Sequence, residues 1–372
     1  MKTEQYVYQQ NQWINPLIPN KDVQLVTVFF SLIDRNCSEL ERLGDYFPNA
    51  KIIGCSSAGD IAADQLFDDS IVVTTFSFSN TRVSVFTGSV QGSSMSHLCK
   101  SASAALQAKD LAWLLVISDG HVINGSDLVS HLNHSFDDDV IITGGLAGDG
   151  ERFLRTSLFD STLLEEGSVI LCAFYSDTLK VSHASIGGWD PFGPKREITH
   201  AEGNRLYELD GESAIMLYKQ YLGPYADDLP ASALRFPLQV TDPSTGLTVI
   251  RTILDIDYQD SSMVFAGDMP SHGFAQLMTA NFERLIDGAG SALTKSLECS
   301  HGESGFVLLI NCIGRRLVLG PRAEEELEAI NTKLTKEFKC MGFYSYGELA
   351  SDGHNGACLL HNQTMTVTLV SE

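Results

Sequence analysis

Apolar residues cluster along the chain in unbroken runs separated by short polar turns, and the runs come in a repeating order. Asp22–Leu40, DVQLVTVFFSLIDRNCSEL, is an apolar run, a polar turn and then Ser-Glu-Leu, the composition of a helix start. Asp110–Leu128, DLAWLLVISDGHVINGSDL, has the same order at an offset of 88 residues. Runs of this kind predict buried strands. A short amphipathic helix then leads into a phrase written twice, IIGCSSAGD at Ile52–Asp60 and IITGGLAGD at Ile141–Asp149. Ser70–Val85 and Ser168–His183 follow at an offset of 98, each with an apolar run, a Ser-Asn-Thr or Ser-Asp-Thr turn and an alternating arm, which predicts a hairpin. The unit is strand, helix, strand, small-residue loop, hairpin. The twice-written phrase marks its β-α-β turn, with small residues where the backbone bends or approaches a neighbour.

A weaker third copy closes the chain. Gly305–Cys312 reads as a buried strand, Arg322–Phe338 as a helix with acids near its N-terminal end, Gly342–Leu349 as the counterpart of the repeated phrase, and Gly356–Val370 as two strands. Between the copies lies a Gly/Pro-rich turn around Trp189 and Phe192, a capped helix through Ala214–Tyr221 stopped by Gly223-Pro224, and strand-like runs at Phe236–Val240, Thr248–Ile256 and Ser262–Ala266. Phe274–Leu293 reads as helix. The expectation is a mixed α/β (α+β) fold of repeated units forming two packed domains with mixed sheets. The expected division is an N-terminal extension 1–22, a first domain 23–220 holding the duplication 22–90 and 110–188, and a second domain 221–372.

Charge narrows the functional classes. With 25 Lys plus Arg against 47 Asp plus Glu, the formal net charge of −22 repels phosphate backbones and anionic lipid surfaces, which disfavours nucleic acid and membrane as partners. No secretory signal or bilayer-length apolar run is visible, so a cytoplasmic location is expected. The eight cysteines stand singly, with no C-x-x-C, and read as reduced, mostly buried thiols.

Catalytic motifs are weak, and no enzyme activity is expected. Gly54-Cys55-Ser56-Ser57-Ala58 lacks the second glycine of a nucleophile elbow, and the other copy has no nucleophile, so Cys55 and Ser56 read as a structural turn. P-loop and dinucleotide fingerprints are absent. Asp60 and Asp149 recur at matched places and read as loop-capping carboxylates. Cys312 beside Arg315 reads as a buried thiol with an arginine paired to a surface carboxylate.

GCSSAGD, GGLAGDG, YELDGESAIMLYKQYLG, NCIGRRLVLG, GFYSYGEL and HNQT, taken in order, resemble the FIST N and FIST C domains of bacterial signal-transduction proteins. The resemblance covers the chain from about Val23 onward and implies a small-ligand sensory module, amino acids being the usual suggestion. ASIGGWDPFGPKREIT is similar to the NosP subset, which implies haem binding and nitric oxide sensing for a histidine kinase or a cyclic-di-GMP enzyme (diguanylate cyclase or phosphodiesterase). Non-covalent haem b needs an axial imidazole in an apolar pocket. His183 is the candidate iron ligand: the internal alignment pairs it with Val85, and it lies six residues before Trp189, whose neighbour Phe192 could wall a porphyrin. Arg196, with Lys195, is the candidate propionate partner. His200, His272 and His361 remain open as iron ligands. His131 and His134 read as solvated, His97, His301 and His354 as exposed, and His121 as an unsupported loop position. The alternative is a haem-free module binding an amino acid or similar metabolite, with Arg315 or Glu348 as charged anchor. Homo-oligomerisation is left open.

Overall fold

The computed structural model describes every residue except 32–37, 299–301, 303, 336 and 352–355, so the turn of the first copy, His301 and His354 lie outside the described residues. The repeated segments form three six-stranded sheets, one per copy. In the first, Leu25–Phe30 lies parallel to Lys51–Ser56 and antiparallel to Ser70–Ser77. Leu111–Ser118 takes the same parallel and antiparallel neighbours, Ile141–Leu146 and Ser168–Tyr175. Gly305–Cys312 does so with Phe338–Ser345 and Met365–Ser371. The duplication is therefore a triplication in one topology.

Each sheet is completed by strands borrowed from the other copies. Asp60–Ala62 of the first copy pairs with the third copy's Phe338–Ser345. Leu158–Asp160 of the second pairs with Lys51–Ser56, and Gly347–Ser351 of the third pairs with Ile141–Leu146. The hairpins expected within the first two copies do not form. Arg82–Ser89 crosses to Ser168–Tyr175, and Lys180–Ile186 crosses to Met365–Ser371. The exchange leaves fewer unpaired edges than separate hairpins would. The last position in this cycle belongs to Lys2–Gln9, which pairs with Ser70–Ser77 along its whole length. The expected N-terminal extension is thus an integral strand.

Burial on both faces explains the continuous apolar runs. Inner faces of all three sheets meet in one core holding Phe29, Trp113, Phe174, Phe306 and Phe343. Phe29 packs on Phe343 at 4.5 Å and Trp113 on Phe174 at 4.3 Å between ring centroids. Removing such side chains from water contributes roughly 1.5–3 kcal/mol each. Outer faces are covered by helices, including Met95–Leu106 and Gly125–Ser135 on the second sheet and Phe282–Glu298 with Glu324–Asn331 on the third.

The glycine of the repeated phrase has a definite cause. Gly54, Gly144 and Gly342 stand opposite Val28, Val116 and Leu309 in register. A Cβ on any of them would lie 1.7, 1.9 or 1.8 Å from the carbonyl oxygen of that partner. Close approach, not a turn, fixes the residue. The phrase is displaced by one residue against this register, since Gly54 matches Gly144 in space but Thr143 in the wording.

The segment between the second and third copies forms a second packed domain with its own core. Its antiparallel strands run in the order Thr248–Arg251, Leu238–Thr241, Gly273–Thr279, Asp190–Glu202, Arg205–Leu209, Ser262–Phe265, Ile253–Asp257. The two ends of that order are successive segments joined by Thr252, so the sheet closes on itself as a barrel. Helix Ala214–Leu222, capped by Ser213, packs its apolar stripe into the barrel core. The division expected near residue 220 falls inside this helix, and the third copy shares sheets with the first two rather than with the barrel. The Gly/Pro turn around Trp189 and Phe192 is the irregular start of strand Asp190–Glu202, and the helix expected from Phe274 begins at Phe282, because Gly273–Thr279 is needed as a barrel strand. The expected Arg322–Phe338 helix ends at Asn331 and is preceded by a separate helix, Ile313–Leu319. No helix among the described residues is long and apolar enough to cross a membrane.

Candidate functional site

Three carboxylates mark the places where the copies join. Asp60 is fully buried and accepts from the Ser31 amide and from the hydroxyls of Ser31, Ser57 and Ser70. Burial pushes its pKa up to about 6, against the pull of those donors. Glu348 occupies the same register in the third copy, since Glu348 faces Gly145 as Asp60 faces Phe343. It accepts from Ser345 and from the amide and hydroxyl of Thr364, and burial raises its pKa to about 8. In the second copy Asp119 serves the junction from the end of strand Leu111–Ser118, accepting from Thr156 and the amides of His121, Val122 and Gly167. Asp149 caps a different loop. It accepts from the amides of Leu154 and Arg155 and from the Tyr346 hydroxyl. Burial would raise its pKa, but Tyr346, those amides and Arg152 hold it below the usual carboxylate range. Loop capping is thus right for Asp149, whereas Asp60 secures a strand junction, and the equivalence of Asp60 with Asp149 is replaced by that of Asp60 with Glu348.

The catalytic candidates are closed in. Cys55 is fully buried, and burial pushes its thiol well up. The Ser56 hydroxyl accepts from the Ser157 amide. Burial also raises the Cys312 thiol. Arg315 pairs with Glu326, which is as fully buried as Arg315 itself and not a surface carboxylate. Its other donors go to the carbonyls of Gly187, Gln363 and Leu285. Glu326 also accepts from Asn311. Arg315 and Glu348 are therefore structural, and neither lines the cleft described next.

A cleft of about 1410 Å³ opens between the three-copy body and the barrel. One wall is the loop Gly120–Gly125, where Asn124 caps helix Gly125–Ser135 by accepting from the Ser126 amide. The Asn124 amide donates to Asp268, and the Asp268 backbone N–H donates to the Ser126 hydroxyl, which clips body to barrel. A second wall comes from barrel residues 225, 228–232, 234, 235, 252–255 and 265–267. The third copy supplies Cys312, Ile313, Gly314, Leu317, Tyr346 and Leu360. Phe153 lines the cleft too, stacked on Tyr346 at 4.8 Å, with a backbone φ of 50° that bulky residues seldom adopt. Arg235 is exposed at the rim, and Thr252 keeps a buried hydroxyl with no partner. Sequence reasoning missed both. The only signal for Arg235 was a lone cation between the Pro230 turn and the Leu238–Thr241 strand.

The residues proposed for haem do not share this cleft or one another's surroundings. His183 is buried in Lys180–Ile186, opposite Thr368. Trp189 packs against Met278, Leu285, Val318 and Leu319 and donates its indole N–H to the Gln363 carbonyl. Phe192 and Arg196 line a cavity of about 20 Å³ on the barrel. Arg196 is held by Asp210 and Tyr221. Of the other histidines, His361 bonds the Ala350 carbonyl and His200 stacks on Tyr207. His131 lies beside Asp127, His134 bonds the Ser130 carbonyl, and His272 is exposed. His97 is exposed in the first turn of Met95–Leu106 rather than in a loop, and His121 lines the cleft. No group of three or more His, Cys, Asp or Glu able to hold a metal occurs among the described residues.

Comparison with known proteins agrees with this architecture. An uncharacterized protein of Methanocaldococcus jannaschii is 22% identical over 368 residues, spanning 87% of this chain and 69% of its own length. The FIST N domain matches residues 24–212 and the FIST C domain residues 214–351, so the first two copies answer to one and most of the barrel and third copy to the other. FIST domains are sensory modules rather than enzymes. The chain belongs to the FIST family.

Proposed function

We propose that this chain is a ligand-sensing signal-transduction protein whose ligand, an amino acid or a metabolite of similar character, sits in the cleft between the three-copy body and the barrel. What supports the reading is the cleft's composition. It is lined from the second copy, the barrel and the third copy by apolar side chains such as Ile123, Leu229, Leu234 and Leu317 together with polar ones, the usual make-up of a small-molecule site. A ligand touching all three would change their relative free energies and so the surface offered to a partner. The partner expected from the NosP resemblance is a histidine kinase or a cyclic-di-GMP enzyme. A thermal-shift screen of the full chain against amino acids and related metabolites tests this. A stabilising hit that disappears in Leu234→Trp, which adds bulk to the cleft lining, supports it; a hit unaffected by that change places the ligand elsewhere and defeats it.

Haem sensing of nitric oxide is the second reading, motivated by a buried imidazole at His183 where the first copy carries Val85. Hemin titration of the same protein distinguishes the two. A Soret band that shifts with nitric oxide and is lost in His183→Ala favours haem; no band removes it.

A further inference from the structure

The cleft carries a chemical signature that narrows its ligand, an inference resting on the cleft being the binding site. Arg235 lines it and, among the described residues, makes no ion pair or side-chain hydrogen bond. The other described arginines are engaged: Arg205 with Asp257 and Asp260, Arg322 with Glu283 and Glu325, and Arg251 with the carbonyls of Asp268 and Leu360. Arg235 stays uncommitted although Glu151, Asp228 and Asp255 line the same cleft. A guanidinium so placed matches a carboxylate, which it can take bidentately. The three acids, within a chain of net charge −22, oppose any second negative charge on the ligand.

The apolar part of the ligand is indicated by another part of the lining. Phe153 and Tyr346 stack with ring planes 19° apart, and Phe153 is 39% exposed, so part of this aromatic pair is open to a further flat group. The φ of 50° at Phe153 costs on the order of 1–3 kcal/mol. That cost is offset by the stack with Tyr346, whose hydroxyl is fixed by Asp149. Thr252, only 5% exposed, offers an unpartnered hydroxyl in the same lining. We propose that the ligand is a planar acid bearing a single negative charge, with its ring against Phe153 and Tyr346 and its carboxylate on Arg235.

Isothermal titration of the full chain tests this with phenylacetate, 4-hydroxyphenylacetate and indole-3-acetate as probes. 2-Phenylethanol, benzylamine and phenyl phosphate serve as neutral, cationic and dianionic controls. At least one of the three acids binds, each control is weaker by about tenfold or more, and Arg235→Gln lowers the acid's affinity by about tenfold. Phe153→Ala lowers it as well, with the melting temperature of each variant measured to establish that it is folded. Equal binding of benzylamine or 2-phenylethanol, indifference to Arg235→Gln, or failure of all three acids overturns the proposal. If the acids fail while an aliphatic amino acid stabilises the protein and is lost in Leu234→Trp, the cleft reading survives and only the ligand class falls.

Discussion

The three-copy body and the rim of the cleft treat their charged side chains in opposite ways. In the body, charges taken out of water are fully engaged: Arg315 and Glu326 hold each other, and Asp60, Asp119 and Glu348 each collect several donors where the copies exchange strands. In the cleft, Arg235 and the Thr252 hydroxyl are left uncommitted. An unpaired buried polar group costs stability unless something else completes it. Specificity of fold is concentrated in the first region and capacity for binding in the second.

Substitutions that break the body should therefore have the largest effects. Gly342→Val places atoms against the Leu309 carbonyl oxygen, already 1.8 Å from a Cβ at that position, and should abolish folding. Gly342→Ala should cost more than about 4 kcal/mol, beyond the usual range for a point change. Gly211→Ala in the barrel, where φ is 77° but nothing lies within 4 Å, should cost only about 1 kcal/mol. Urea denaturation of the two alanine variants measures the contrast. Arg315→Ala leaves Glu326 buried without its cation and should cost roughly 3–5 kcal/mol in the same assay.

A smaller effect is written in pH. Glu348 titrates at about 8 when folded, against an ordinary value of 4.5, so its protonated form is the one that folding favours. The stabilisation is fully present below pH 4.5, declines by at most about 1.4 kcal/mol per pH unit as pH rises, and is exhausted above about 8. Asp60 adds the same sign between 3.8 and about 6. Unfolding midpoints measured from pH 6 to 8 should fall in the wild type and flatten in Glu348→Gln. The smallest effect has the opposite sign and belongs to the cleft: Thr252→Val removes an unpartnered hydroxyl and should stabilise the ligand-free protein by about 1 kcal/mol in thermal melts. A loss of stability there would mean that the Thr252 hydroxyl is not left uncommitted.

Legibility in the sequence followed the same divide. Offsets of 88 and 98 located the opening strands and the first hairpin arms, because strands buried on both faces carry an unmistakable apolar run. Which sheet each arm joins was not legible, since Arg82–Ser89 has the same alternation whether it pairs at home or in the next copy. Lys2–Gln9 escaped for a related reason: KTEQYVYQ buries only Tyr6 and Val7, and a strand flanked on its outer side by no more than Gln12–Trp13 needs little apolar surface. The repeated Ala-Gly-Asp wording misled because identical letters serve different contacts, Asp60 a junction between copies and Asp149 a capped loop. Arg315 and Glu348 read as accessible anchors because charged residues are seldom fully buried, whereas Arg235, an ordinary surface arginine by sequence, acquires its meaning only from the acids that fail to pair with it.

The strand exchange bears on any attempt to dissect the protein. A cut at residue 213, where one family domain gives way to the other, would strip partners from Asp60–Ala62, Ile141–Leu146 and Lys180–Ile186 at once. The severed halves would present raw ladder edges to one another and to their own kind, inviting aggregation rather than yielding two independent modules. Evolution can have built this molecule by copying a unit, but a laboratory cannot run that history backwards with a single scission.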